Sequence, residues 1–266
     1  MADTAAPVGR LASTSRDARR RRPLWRTALA GLGEVLMTAG VVALLFVAYE
    51  LWGTGAYTSH AQAALERGLT ATTWAAQTPQ ISVPPPVGLV APRDPGYPPL
   101  RRGDAVARLY IPALGADYRY VVVEGVDREQ LERGPGHYPG TALPGQLGNL
   151  VISGHRTTYL APFNRIDELR PGDAVIFETA RAWYVYRVAD IPGYRLRHQE
   201  VVLPTDVGET EPVPNRPGQP PTERIFTLTT CNPKYSARQR LIVHGVLDRV
   251  VAKPGPPPRE LHGGRR

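Results

Sequence analysis

Cys231, His155 and two arginines are the residues of this sequence best suited to covalent chemistry. Cys231 is the only cysteine among 266 residues, so it has no disulfide partner within the chain. A thiol attacks as its thiolate, which a neighbouring cation or base favours. Arg238 and Arg240 follow Cys231 closely and offer a positive charge, and His155 offers an imidazole. A lone cysteine is most often a small core residue, so these residues alone leave both a nucleophilic and a core role open.

The segments that must position these side chains predict β-strands that end beside them. Ile225–Thr230 is rich in β-branched residues and runs into Cys231 and the turn-forming Asn232-Pro233. Leu241–Leu247 is a second strand candidate, and a hairpin between the two strands would return the arginines to the cysteine. Asn149–His155 predicts a third strand that ends at the histidine. Strand ends hold exposed side chains in a controlled geometry, as catalysis requires.

The same pattern of short strands covers most of residues 104–250 and predicts an all-β domain. Asp127–Arg133 has polar helical spacing and ends before Gly134, so it predicts one short helix. Pro204–Thr222 predicts a long Pro-rich, acidic loop between two strands. Many short strands with Gly-rich turns favour a closed or nearly closed β-barrel. The remaining strand candidates are Ala105–Pro112, Asp117–Glu124, Asp173–Glu178 and Trp183–Ala189.

The net charge of +8 is confined to the two ends of the chain. Residues 1–26 carry +5 and residues 253–266 carry +3, so residues 27–252 are neutral overall. A basic surface on the folded domain is therefore not expected, and nucleic acid is excluded as a partner. No His, Cys, Asp or Glu cluster has metal-ligand spacing, so we expect neither a metal nor a cofactor.

Residues 27–52 predict a single-pass membrane anchor, because they form a long apolar run that is interrupted by Glu34. Arg19–Arg22 precede this run, and the positive-inside rule then predicts a cytoplasmic N-terminus and an extracellular remainder. Ala61-Gln62-Ala63 has the small-x-small form of a cleavage site, which leaves a cleaved signal peptide as an alternative. The apolar run is longer than the ~7–15-residue apolar region of a signal peptide, which favours an uncleaved anchor in the cell membrane.

Composition divides the chain into five segments. The Ala-rich start of the spacer is expected to form a loose helix leaving the membrane, and its later part is rich in proline. The segments are a cytoplasmic basic arm (1–26), the transmembrane anchor (27–52), an extracellular Pro-rich spacer (53–103), the catalytic β-barrel (104–250) and a disordered basic tail (251–266).

Three motifs in this chain resemble those of the sortase family. Thr227-Leu-Thr-Thr-Cys231, with Arg240 nine residues later and Leu-Ile-Val after it, resembles the TLxTC…R signature. Gly154-His155-Arg156 resembles the histidine loop of sortases, and residues 136–145 resemble the loop that precedes it in many members. The resemblance covers residues 104–250. The anchor, the spacer and the high Arg, Ala and Pro content resemble the class E sortases of actinobacteria.

This resemblance implies an eight-stranded barrel and a transpeptidation reaction. Cys231 would attack the Thr–Gly bond of an LAxTG-like motif near the C-terminus of a secreted protein, and an amine of a peptidoglycan precursor would resolve the thioester. His155 would act as general acid and then base. Arg240, which matches the motif spacing better than Arg238, would stabilise the oxyanion or hold the substrate backbone. Thr230 and Ser153 are candidate substrate-binding residues of the groove.

Other functions compete with this interpretation. A pilus-polymerising sortase would use a substrate lysine and usually a lid, and residues 93–97 only faintly resemble one, since Asp-Pro-Gly is first a turn signal. An L,D-transpeptidase also uses Cys and His, but its Ser-His-Gly-Cys context is absent. A non-enzymatic, membrane-tethered β-barrel adaptor would have a decayed site, whereas all three key residues are present.

Overall fold

The structure, a computed structural model, describes residues 24–49, 53–69, 97 and 99–262. The chain divides into two compact units, residues 1–47 and 48–266. Helix α1, Leu24–Ala48, makes up the described part of the first unit. Its segment Ala28–Ala48 is long and apolar enough to cross a membrane, and its large apolar side chains are exposed. Of the predicted basic arm, residues 1–23 lie outside the described residues.

The second unit contains nine strands and two α-helices within the described residues. The shorter helix has 6 residues and matches the prediction at Asp127–Arg133, and the longer helix has 15 residues. The helices are α2, Thr54–Gly68, and α3, Arg128–Arg133. The strands are β1, Ala105–Tyr110; β2, Arg119–Glu124; β3, Gly136–His137; β4, Gly148–Ser153; β5, Ala174–Glu178; β6, Ala182–Val188; β7, Gln199–Val202; β8, Arg224–Asn232; and β9, Gln239–Ala252.

Eight of the strands close into a ring in the order β6, β5, β1, β2, β3, β4, β8, β9, and a β9–β6 pairing closes the ring. β9 makes this closure possible by its length. Its first part, Arg240–Val243, pairs with β7, and its later part, Gly245–Ala252, pairs with β6. The predicted eight-stranded β-barrel with short helices is thereby confirmed.

The barrel interior is filled by alternate residues of each strand. Leu150 and Ile152 of β4 and Phe226 and Leu228 of β8 belong to the main core cluster. Because successive side chains of a strand point to opposite faces, the odd-numbered residues of β4 and β8 face outward. Cys231 therefore lies on the outer face of the barrel wall.

Two strands escape sequence prediction for physical reasons. β3 is only two residues long, Gly136–His137, and lies in a Gly/Pro-rich segment without alternation. β7, Gln199–Val202, pairs only with β9 among the described strands and is an edge strand. Its residues are half-buried or exposed, so its sequence lacks the apolar pattern of a buried strand. β9 also extends beyond the predicted Leu241–Leu247, because its residues up to Ala252 pair with β6 where the barrel closes.

The predicted spacer has to be corrected at its start, because α2 packs against the barrel. Leu65 and Leu69 form a buried cluster with Ala105, Val121 and Val123 of β1 and β2. Each buried leucine contributes about 1.5–3 kcal/mol relative to an exposed one. Residues 70–96, which include most of the Pro-rich sequence, lie outside the described residues. The folded unit that contains the barrel thus also includes residues 54–69.

A partly buried ion-pair network also joins α2 to the barrel wall. Arg108 of β1 donates to Glu66 of α2 and to Glu178 of β5. Lys253 Nζ donates to the same Glu178 carboxylate at 2.6 Å and lies 4.7 Å from the centroid of the Trp183 ring. These charged hydrogen bonds fix the position of α2 on the side of the barrel.

The predicted disordered tail likewise needs correction over residues 251–262. β9 continues to Ala252, and a 3₁₀ turn, Arg259–Leu261, follows. Glu260 in this turn pairs with Arg187 of β6 and Arg249 of β9. Burial alone would raise the pKa of Glu260, but the Arg249 guanidinium lowers it to about 2. Residues 263–266 lie outside the described residues.

The long loop between β7 and β8 is attached to the outer wall by polar contacts. Asn149 of β4 donates to the backbone carbonyls of Glu209 and Glu211 at 2.9 and 3.1 Å. Thr227 of β8 donates to Asn149 Oδ1 at 2.7 Å. His244 of β9 is fully buried beside Thr227, with Nδ1 at 3.0 Å from Thr227 Oγ1. This network orders the loop along the strands that lead to Cys231.

Candidate active site

The β8–β9 hairpin places Cys231 directly opposite Arg240. The two residues are Cα partners in the antiparallel register, so their side chains share the outer face. Arg240 Nη1 donates to the carbonyls of Ala237 and Gln239 at 3.1 and 3.0 Å. Arg238 is exposed and precedes the first residue of β9, in the connection between the strands. The register therefore pairs the cysteine with Arg240 and leaves Arg238 outside the ladder.

Ser153, one of the two predicted substrate-binding residues, lies on the same face as Cys231. It ends β4 and pairs with Thr229 in the parallel β4–β8 register. Thr229 is two residues before Cys231 on β8, so all three side chains face outward. Ser153 and Cys231 are both half-buried, and each can be reached from the outside of the barrel. The contacts of Ser153 with a substrate stay a prediction.

His155 follows the end of β4 in a loop that hydrogen bonds hold against β8. Gly154 N donates to Thr229 O at 3.1 Å, and Thr230 Oγ1 donates to Gly154 O at 2.7 Å. A Cβ atom at Gly154 would lie 2.7 Å from the Phe163 ring, so only glycine fits there. The histidine is thus fixed one residue after a backbone position attached to the strand of the nucleophile.

Thr230, the other predicted substrate-binding residue, instead makes a hydrogen bond within the protein. Its side chain is 2 % exposed and points to the face opposite that of Cys231. Its hydroxyl is committed to the carbonyl of Gly154. Thr230 therefore connects the histidine loop to the nucleophile strand, and its predicted contact with a substrate finds no support in this geometry.

Arg156 is a site residue that sequence reasoning missed. Its guanidinium is buried, and Nη1 donates to Cys231 O at 3.1 Å and to Asn232 Oδ1 at 2.6 Å. Nη2 lies 3.4 Å from Asp167 Oδ1. Its place directly after His155 in the Gly-His-Arg motif was the available signal. Arg156 links the end of β8 to the loop that carries the histidine.

The protonation of His155 is set by burial and by one carboxylate. Burial lowers the pKa of His155, and the negative charge of Glu132 on α3 partly opposes this effect. The ring of Tyr159 lies against the imidazole, with centroids 4.9 Å apart. A lowered pKa favours the neutral imidazole near neutral pH, which is the form that accepts a proton.

The buried pair of His137 and Glu124 fixes the loop that carries Tyr138, whose hydroxyl senses the charge of Arg240. Burial raises the pKa of Tyr138, and the positive charge of Arg240 opposes the rise. The preceding residue, His137, places Nδ1 2.6 Å from Glu124 Oε2 and Nε2 3.0 Å from Ala142 O. Sequence reasoning assigned no role to these residues, because their pairing depends on the parallel contact of β2 with β3.

The described part of the lid-like segment is attached far from the cysteine. Tyr97 donates its hydroxyl to Pro144 O at 2.6 Å. The next residue, Gly145, accepts from Arg224 Nε at 2.8 Å, and Arg224 begins β8. Cys231 lies near the other end of the same strand. Residues 93–96 lie outside the described residues.

The site combines a thiol near a strand end, a permanent cation paired with it and an imidazole on the adjacent loop. Within the described ranges, no three His, Cys, Asp or Glu side chains are grouped as a metal site would require. The arrangement can perform nucleophilic attack on a carbonyl, charge stabilisation and proton transfer. The fold and the site define a cysteine-dependent acyl-transfer enzyme built on a closed β-barrel.

Comparison with known proteins identifies the family. The sortase domain model matches residues 109–248, a range that contains Cys231, His155 and Arg240. This chain belongs to the sortase family, whose members are cysteine transpeptidases. The match with class E-like members confirms the resemblance that the motifs suggested.

Three relatives illustrate this similarity. The chain is 35% identical over 248 residues to sortase SrtE1 of Streptomyces coelicolor, covering 90% of this chain and 63% of that protein. It is 31% identical to sortase SrtE2 of the same organism, covering 91% of this chain and 92% of that protein. The structure of sortase E from Streptomyces avermitilis aligns with a TM-score of 0.53 and 37% identity, covering 61% of this chain and 99% of that one.

Proposed function

We propose that this protein is a membrane-anchored sortase that cleaves an LAxTG-like motif between Thr and Gly and transfers the Thr carbonyl to a peptidoglycan amine. The observation that carries the proposal is the direct pairing of Cys231 with Arg240 beside the loop that bears His155. This register supports a site that combines a thiol, a cation and a proton carrier on the outer side of the barrel.

In the first half of the reaction, the Cys231 thiolate attacks the Thr carbonyl carbon. A new S–C bond forms, and the carbonyl oxygen becomes an oxyanion that Arg240 stabilises. The C–N bond then breaks, and the protonated His155 imidazole donates its proton to the leaving Gly amine. The Gly-bearing C-terminal fragment departs, and the substrate remains attached to Cys231 as a thioester.

In the second half, an amine of a peptidoglycan precursor attacks the thioester carbonyl. Neutral His155 accepts the proton that the attacking amine loses, and Cys231 leaves as the thiolate. The products are a new amide bond and the free enzyme. The imidazole thus donates a proton in the first half and accepts one in the second. The lowered pKa of His155 favours the neutral imidazole, which the second half requires.

Ser153 and Thr229 support a place for the substrate on the outer face. Both side chains lie in register with one another and on the same face as Cys231. We assign the approach of the sorting motif to this strip of β4 and β8. Thr230 acts here as a positioning residue, because its hydroxyl holds Gly154.

The proposed location is the cell membrane, with a cytoplasmic N-terminus and an extracellular catalytic unit. The length and apolar composition of Ala28–Ala48 support a membrane-spanning helix. The arginines of residues 19–22 support the orientation through the positive-inside rule. Secreted proteins bearing a C-terminal sorting motif are then the substrates.

The test uses the full chain in detergent micelles with an LAxTG-containing peptide and a small amine acceptor. Mass spectrometry should detect cleavage between Thr and Gly and the new amide. Cys231→Ala should abolish both products, whereas Ser236→Ala, in the loop that follows, should retain activity near that of the parent. Full activity in Cys231→Ala would show that this cysteine is not the nucleophile.

Localisation needs its own experiment. The full chain, expressed in an actinobacterial host, should remain with the membrane fraction after an alkaline wash, and protease added to intact cells stripped of their wall should digest its catalytic unit. Protection of that unit from the protease would overturn the proposed orientation.

A further inference from the structure

The imidazole of His155 depends on Tyr159 for its position. Its Nε2 atom is buried and has no hydrogen-bond partner among the described residues. The Tyr159 ring packs against it with an interplanar angle of 32°. Whatever fixes Tyr159 therefore also limits the rotation of the imidazole.

The backbone of Tyr159–Ala161 needs support from other elements. These three consecutive residues have positive φ angles of 53°, 62° and 44°, a region unfavourable for side chains with a Cβ atom. Tyr118, the residue before β2, donates its hydroxyl to Pro162 O at 2.7 Å. Tyr159 donates its own hydroxyl to Glu132 Oε1 at 2.9 Å. The loop after the histidine is thus held from two sides.

Glu132 is in turn fixed on α3 and through α2. Arg128, one helical turn earlier, donates Nε to Glu132 Oε1 at 2.7 Å. The backbone carbonyl of Glu132 accepts from Thr58 Oγ1 of α2 at 2.7 Å, and the carbonyl of Arg133 accepts from Gln62 Nε2 at 2.8 Å. Carbonyls at a helix end have no intrahelical donor, so α2 satisfies the ones that α3 leaves open.

We propose that Glu132 and Tyr159 are positioning residues for His155, and that the membrane-proximal helix α2 holds them by binding the carboxyl end of α3. The inference rests on the proposed role of His155 as proton donor and acceptor. It extends the working part of the enzyme from the barrel to a helix that composition assigned to a spacer.

The charge of Glu132 gives this proposal a measurable consequence. Glu132 opposes the burial that lowers the pKa of His155, so neutralising it should lower that pKa further. The Tyr159 hydroxyl remains protonated beside it, since burial and the carboxylate both raise its pKa. The charged and titratable groups on the elements next to the imidazole are Arg156 and Tyr159 on its loop, Arg128 and Glu132 on α3, and Cys231 and Arg240 on β8 and β9, and among them Glu132 is the one whose charge acts on the His155 pKa.

The first experiment compares Glu132→Gln with Glu129→Gln, which makes the same charge change at an exposed position of α3. Histidine-labelled full chain in micelles is titrated by NMR, with His155→Gln to assign the signal. The His155 midpoint should move to lower pH in Glu132→Gln and stay in Glu129→Gln. The limb of the pH profile of kcat/KM that follows His155 should move with it. Identical titrations in the two variants would overturn the role of Glu132.

The second experiment tests the stacking ring and the helix. Tyr159→Ala should lower kcat/KM by roughly 10–100-fold, by analogy with residues that orient metal-binding histidines, and Tyr159→Phe should retain more activity because it keeps the ring. Thr58→Val should lower kcat/KM and broaden the His155 resonance. Ser59→Ala, whose hydroxyl bonds only within α2, should do neither. Equal behaviour of Thr58→Val and Ser59→Ala would overturn the role of α2.

These outcomes separate the inference from the proposed function. If His155→Gln retains full transpeptidation, the acid–base role fails, while the NMR titration still decides whether Glu132 acts on the imidazole. If His155→Gln is inactive and Glu132→Gln leaves the His155 titration unchanged, the positioning role of Glu132 fails and the proposed function stands. Thermal unfolding of each variant identifies loss of activity that comes from loss of the fold.

Discussion

Cys231 and Arg240 face each other across the β8–β9 hairpin as direct Cα partners. Directly opposed residues in an antiparallel pair have Cβ atoms about 4.5–5.5 Å apart, so the two side chains start from neighbouring positions on one face. Two backbone carbonyls of the hairpin accept from the Arg240 guanidinium and limit its motion. The register therefore places a residue whose charge is permanent at physiological pH opposite the cysteine.

This pairing predicts unequal effects of removing the two neighbouring arginines. Arg240→Ala should lower kcat/KM by about 10²–10³-fold, the cost of losing one oxyanion-stabilising group. Arg238→Ala should change it far less, because Arg238 is exposed and outside the strand pairing. Arg240→Lys should fall between the two, since it keeps the charge and loses the planar fork. A larger loss at position 238 than at position 240 would reverse the assignment.

Arg156 is expected to matter for both stability and rate. Arg156→Ala removes charged hydrogen bonds to Cys231 O and Asn232 Oδ1 and should lower the unfolding free energy by about 1.5–3 kcal/mol. The nucleophile strand then loses its connection to the histidine loop, so kcat should fall more than KM rises. Chemical denaturation and steady-state kinetics of the full chain check both effects. Arg119→Ala, an exposed arginine of β2, is the matched control and should leave both unchanged.

The sequence predicts the strands of this site better than it predicts how they meet. The β-branched run before Cys231 and the apolar run after Arg240 both become strands, β8 and β9. The choice between Arg238 and Arg240 depends on the hairpin register, which spacing alone leaves open. Motif spacing favoured Arg240, and the register now agrees with that preference.

Features that arise only from tertiary packing were not predictable. The Ala-rich α2 looked like part of a spacer, because Leu65 and Leu69 form a buried face only once β1 and β2 lie beside them. Glu132 belongs to a short helix that the sequence predicts well, but its contact with Tyr159 depends on a loop of positive-φ residues. Thr230 was assigned to the substrate because of its place beside Cys231, although side chains alternate along a strand.

Thr230 provides a test of that alternation. Thr230→Val removes the hydroxyl that donates to Gly154 O while keeping the shape of the side chain, so the histidine loop should loosen. We expect a lower kcat with little change in KM, and a loss of about 1 kcal/mol in unfolding free energy. Thr230→Ser keeps the donor and should recover most of the rate. A rise in KM as the main effect would instead support direct contact with the substrate.

The pH dependence of stability offers a test of the buried His155 that does not require substrate. Burial lowers the pKa of His155 in the folded chain below the ordinary value of about 6.5, so the unfolded chain binds the proton more readily. The stability of the parent should therefore fall as the pH drops below about 6.5, by at most ~1.4 kcal/mol per pH unit from this group, and level off below the folded pKa. His155→Gln lacks this contribution, so its unfolding free energy, followed by chemical denaturation from pH 8 to pH 5, should fall less steeply than that of the parent. Parallel curves would mean that Glu132 cancels the effect of burial, and a steeper fall in the variant would mean that the carboxylate outweighs it.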